Sequence, residues 1–171
     1  MTNTDLKKYL AELIGTFALV FVGTGAVIIN QESEGALGLV GIALAFGLIV
    51  SAMIYIFGNI SGTHINPAVT IALLVGKLTT KKDAFFYIIA QLLGAVLASV
   101  LLKFTFPNNL TLGATLPAGE LLPSFILEFI LTFFLMFTIF GITAKKEFSS
   151  LAGLIIGLVV TGIILVAGPI S

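Results

Sequence analysis

The chain has 171 residues, 58% of them hydrophobic and 9% charged, where soluble domains carry roughly 25% charged residues. Eight Lys and Arg balance eight Asp and Glu, and the lysines sit in short loops at the edges of apolar runs, so nucleic acid is not an expected partner. No cysteine and a single histidine exclude disulfides, thiol chemistry and a clustered metal site, and no cofactor is expected. A polytopic, all-α membrane protein of one domain, residues 1–171, remains.

Met1 to Lys8 is a short polar head. Leu10 to Ile29 is long enough to be a first span rather than a cleavable signal, and carries Glu12 near its start. Asn30 to Gly35 is a loop, and Leu37 to Phe57 is the second span. A polar island follows, Ser61-Gly62-Thr63-His64-Ile65-Asn66-Pro67-Ala68. Asn66 is a good helix N-cap, and Pro67 suits the first helical position, where its missing N–H costs nothing. The helix it opens, Pro67 to Gly76, would be ~15 Å long, half of a ~30 Å bilayer core. Irregular backbone at that depth survives only where it is buried or lines a wet cavity, so the spacing predicts a re-entrant loop feeding a half-helix.

Lys77 to Asp83 is a charged loop, Ala84 to Phe104 the third span, and Pro107 to Pro123 the longest loop. Ser124 to Thr143, with Glu128 inside it, is the fourth span. A charged loop at Lys145, Lys146 and Glu147 precedes the fifth, Leu151 to Ala167. If the half-helix enters and leaves on one side, Lys7, Lys8, Lys77, Lys81, Lys82, Lys145 and Lys146 share the N-terminal side and only Lys103 lies opposite. The positive-inside rule then predicts a cytoplasmic N-terminus in the cell membrane.

The chain also matches itself. Residues 41–61 align without gaps on 151–171, bringing Gly47 to Gly157, Ser51 to Thr161 and Gly58 to Gly168. Glu12-x-x-x-Thr16-Phe17 likewise matches Glu128-x-x-x-Thr132-Phe133. A first repeat of about 9–105 and a partial second of about 123–171 run in opposite directions, the inverted pattern of transport proteins. By the first repeat's spacing, a second asparagine would sit about five residues beyond Ser171.

Together, Ser61-Gly62-Thr63-His64-Ile65-Asn66-Pro67-Ala68-Val69-Thr70, Ala11-Glu12-Leu13-Ile14-Gly15-Thr16-Phe17 and Ala90-Gln91-Leu92-Leu93-Gly94-Ala95 resemble the aquaporin, or major intrinsic protein, family. The resemblance covers essentially the whole chain and is most like archaeal aquaporins. It implies an inverted-repeat helical bundle, here five spans and one re-entrant half-helix, with the second half-helix and sixth span missing. It also implies a homotetramer when complete, with one pore per subunit passing water and small neutral solutes such as glycerol. Asn66, Pro67 and Ala68 then form the pore motif, and Phe46 and Ile164 fall on constriction positions. Glu12 and Glu128 brace the pore loops.

Asn66 would aim its amide NH2 at a passing oxygen, and the carbonyls of Gly62, Thr63, His64 and Ile65 would accept along the entrance. His64 reads either as a pore-lining or gating group or as a packed side chain holding the loop by one hydrogen bond. No catalytic constellation is present, so an enzyme is not expected. Against the passive channel stand a non-conducting, truncated subunit and an ion-coupled transporter, which would need titratable groups at mid-depth beside Asn66.

Overall fold

The computed structural model describes residues 2–144 and 146–170. They form helices α1 (Asn3–Glu32), α2 (Gly38–Ser61), α3 (Pro67–Val75), α4 (Lys81–Thr105), α5 (Leu121–Thr143) and α6 (Ala152–Ala167), with no strand among them. A 3₁₀ turn, Lys146–Leu151, leads into α6. The expected position of Lys145 lies outside the described residues.

A helix needs about 20 apolar residues to cross a bilayer. Helices α1, α2, α4 and α5 have 30, 24, 25 and 23 residues, and each is apolar enough to cross. Helix α6 has only 16, but with the preceding 3₁₀ turn it makes a 21-residue candidate span, Glu147–Ala167. The tighter winding of 3₁₀ backbone helps, since it rises ~2.0 Å per residue. The nine residues of α3 reach ~14 Å, well short of a crossing.

Helix ends differ from the sequence expectation. Helix α1 starts at Asn3 rather than Leu10, because Thr2 and Asp5 cap each other reciprocally: each backbone N–H bonds the other's side chain. Helix α2 runs past Phe57 to Ser61, taking in Gly58, Asn59 and the first residue of the polar island. Helix α4 begins at Lys81, where the Thr80 hydroxyl accepts from the Asp83 N–H at 3.0 Å. Helix α3 ends at Val75, and the chain turns at Lys77, at φ 59°, whose N–H bonds the Leu74 carbonyl while that of Leu78 bonds the Leu73 carbonyl.

The chain divides into two compact units. The first contains Met1–Phe21 and Met53–Asn109. Its core is aromatic: Tyr9 stacks on Phe86 with centroids 5.0 Å apart, meets Tyr87 edge-on, and packs with Ala90. Gly94 of α4 lies directly on the backbone of α1, since a Cβ there would strike the Leu13 carbonyl.

The second unit contains Val22–Ala52 and Leu110–Ser171. In it α2 crosses α6 at the glycines that the internal repeat pairs. A Cβ on Gly47 would strike Thr161 and the Gly157 carbonyl, and one on Gly157 would strike Ser51 and the Gly47 carbonyl. The contact is reciprocal, each glycine lying against the other's carbonyl. The Ser51 hydroxyl donates to the Gly153 carbonyl at 2.8 Å across the same crossing. In this unit the long loop is tied down by the Ala118 N–H, which donates to the Ile170 carbonyl at 3.0 Å.

Candidate functional site

The first unit holds a buried polar knot centred on Glu12. Its side chain is fully buried on α1 and accepts four hydrogen bonds. The Ser61 hydroxyl and the His64 N–H reach Oε1 at 2.6 and 2.9 Å. The Ile65 N–H and the Gln91 amide reach Oε2 at 2.7 and 2.8 Å. A carboxylate offers about four lone-pair sites, and here all are filled. Charge-assisted bonds of this kind are roughly twice as strong as neutral ones.

These bonds hold an improbable backbone. Thr63 and Ile65 sit at φ 51° and 42°, beside Gly62 at 86°. Both non-glycine residues are β-branched, for which the left-handed region is a true outlier. Such strain costs about 1–3 kcal/mol per residue and persists only where the surroundings over-determine it. Here the Thr63 N–H bonds Ser61 Oγ at 3.0 Å, while the next two N–H groups are held by Glu12. With the N–H groups turned inward to protein, the carbonyls of Gly62, Thr63, His64 and Ile65 accept no hydrogen bond among the described residues.

Asn66 caps α3 from extended backbone, and its Oδ1 accepts from the Ala68 N–H at 2.8 Å. That leaves its NH2 without a protein partner among the described residues. Asn66 and Pro67 are half-buried and Ala68 is exposed.

A second layer supports the first. Gln91, from the middle of α4, donates through Nε2 to both Glu12 and the Thr70 hydroxyl, the latter at 2.9 Å. Thr70 in turn donates to the Asn66 carbonyl at 3.0 Å. With its proton spent there, Thr70 faces His64 Nδ1, 3.2 Å away, as an acceptor, so the imidazole carries its hydrogen on Nδ1. The Tyr87 hydroxyl donates to the Ser61 carbonyl at 2.7 Å, and its ring lies edge-on to His64. His64 is thus buried and packed, held by more than one contact.

Gln91, Tyr87, Thr70 and Ser61 carry no role in the sequence reading. A signal was present for Gln91: an amide in the middle of an apolar span has to find a partner inside the bundle. Of the other expected site residues, Phe46 lies on α2 in the second unit, its ring over Gly23 of α1, where a Cβ would collide with it. Ile164 is half-buried on α6 of the same unit, and Glu128 stands on an exposed stretch of α5.

The family model for Major intrinsic protein matches residues 1–171. The chain belongs to the major intrinsic protein family. Among curated aquaporins it is 43% identical to Aquaporin NIP1-1 of Oryza sativa subsp. japonica over 168 residues, 97% of this chain and 59% of that protein. It is 38% identical to Nodulin-26 of Glycine max over 168 residues, 97% of this chain and 62% of that protein. The fold is similar to that of the aquaglyceroporin from Plasmodium falciparum, with a TM-score of 0.82 and 27% identity over 97% of this chain and 74% of that one. The chain thus spans about 60% of the length of the aquaporin relatives it matches. It is a multi-pass membrane protein with an aquaporin-type helical fold.

Proposed function

We propose that this member of the major intrinsic protein family supplies the first pore loop of a passive channel for water and small neutral solutes, and has no enzymatic role. The observation that carries this is the Glu12-held backbone: it ends at Asn66 with a donor unspent and leaves a row of carbonyls unspent beside it. Water needs both. Its oxygen takes the Asn66 NH2, and its hydrogens take the carbonyls of residues 62–65. The N-terminus of α3 adds roughly half a positive charge at the same point, which repels cations and protons. An ion-coupled transporter would need a free titratable group here, whereas every acceptor site of Glu12 is occupied and His64 is packed.

Phe46 and Ile164 set the width and polarity of the constriction; bulky apolar groups there suit solutes less polar than water, glycerol among them. Glu128, at the repeat position matching Glu12, braces the corresponding loop of the second repeat. Residues 9–105 and 123–171 act as the two inverted halves of one domain. The protein assembles as a homotetramer in the lipid of the cell membrane, with its N-terminus cytoplasmic.

Stopped-flow shrinkage of proteoliposomes tests the site. Water flux without electrical current is expected, and Asn66→Asp should lower that flux or admit cations, because it places a negative charge at the bend. Equal flux and selectivity in Asn66→Asp, or uptake driven by a proton gradient, would defeat the proposal.

A further inference from the structure

An open apolar groove of about 200 Å³ runs between α1 and α4 in the first unit, floored by Tyr9 and Ala90 and walled by Leu10, Leu13, Ile89 and Leu93. Only apolar atoms line it. From Leu6 to Leu13 it is ~10 Å long at ~1.5 Å per residue, most of the ~15 Å depth of one leaflet. Its outer end meets a charged rim. Lys82, one turn before Phe86, is 57% exposed and donates to Asp5 at 2.8 Å. An ammonium has three donors, so two remain. Lys8 pairs with Asp83 at 3.3 Å, and Lys7 and Lys81 are exposed with no ion pair among the described residues. Lys7, Lys8, Lys81 and Lys82 against Asp5 and Asp83 leave a surplus of two positive charges.

We propose that this groove binds one acyl chain of an anionic phospholipid, with the phosphate held at Lys82 and Lys7. The pattern fits a molecule that is apolar along its length and negative at one end, entering from the leaflet on the lysine-rich side. A twofold-related copy of the chain fits poorly, because it would set the same positive rim against itself. A lysine near an anionic lipid surface strengthens binding about fivefold, so two lysines should be readily measurable.

The test is photo-crosslinking with phosphatidylglycerol carrying a diazirine on its acyl chain, against phosphatidylcholine with the same chains, in vesicles holding the full chain. Label from phosphatidylglycerol is expected on peptides 6–13 and 86–93, well above that from phosphatidylcholine. Lys7→Gln with Lys82→Gln should reduce the difference roughly 25-fold. Asp5→Asn should increase it, and this opposite response separates headgroup recognition from damage to the fold. Label spread evenly over all apolar helices, or a preference unmoved by both variants, would overturn the proposal. So would disulfide-linked dimers of Ile89→Cys, a clean readout because the chain has no other cysteine.

Discussion

Glu12 accepts from the last residue of α2, from two residues of the loop after it and from Gln91 on α4, and no lysine bonds it among the described residues. A carboxylate buried without a cation is tolerable only when its hydrogen bonds are complete. Glu12→Gln keeps the shape but replaces one acceptor oxygen with an NH2 that faces donors. It is expected to destabilise the protein by about 3 kcal/mol or more, since buried donors lose a charged partner. Gln91→Leu removes one amide and its two donated bonds, only one of them to Glu12, and should cost less, about 1–3 kcal/mol. Thermal melts in detergent check both. If Glu12→Gln melts no lower than Gln91→Leu, the carboxylate is not the centre of the knot.

At the scale of elements, glycines decide which helices touch. Gly94 presses on backbone rather than on a movable side chain, so Gly94→Ala should force α4 away from α1 and strain the Gln91–Glu12 bond. The expected result is a drop in melting temperature as large as that of Gln91→Leu. Gly58 is the contrast: a Cβ there meets nothing, so Gly58→Ala should be neutral or slightly stabilising, since alanine favours helix. Equal melting of Gly94→Ala and Gly58→Ala would refute this account of the α1–α4 packing. Helix α3 obeys a different rule. It is short because Pro67 and the Asn66 cap start it at Pro67, while Lys77 in the left-handed region stops it after nine residues.

At the scale of the whole molecule, the half-helix sets the direction of every later span. Its length of nine residues forbids a crossing, so the segments on either side of it, α2 and α4, end and begin on the same face. In a chain without native cysteine, single cysteines placed at Thr4 and Lys77 should react with an impermeant thiol reagent from the same side of sealed vesicles. Reaction from opposite sides would mean that α3 crosses, and the pore proposal would fall with it.

Much of this protein is determined locally. Runs of apolar residues and the Asn-Pro start of α3 are read along the chain, and they bound the spans and the half-helix. Helix ends drifted where side chains cap backbone, as at Thr2, Asp5 and Thr80, because capping competes with the fading of hydropathy as the stop signal. Tertiary structure alone decided that Glu12 serves the loop at 61–65, that Gln91 links it to Thr70, and that Thr63 and Ile65 adopt left-handed backbone. The hydrogen bonds concerned join partners 21 to 79 residues apart. Sequence periodicity reports which face of a helix avoids water, but a buried donor is satisfied by whichever acceptor packing brings within 3 Å, and only the folded chain specifies that neighbour.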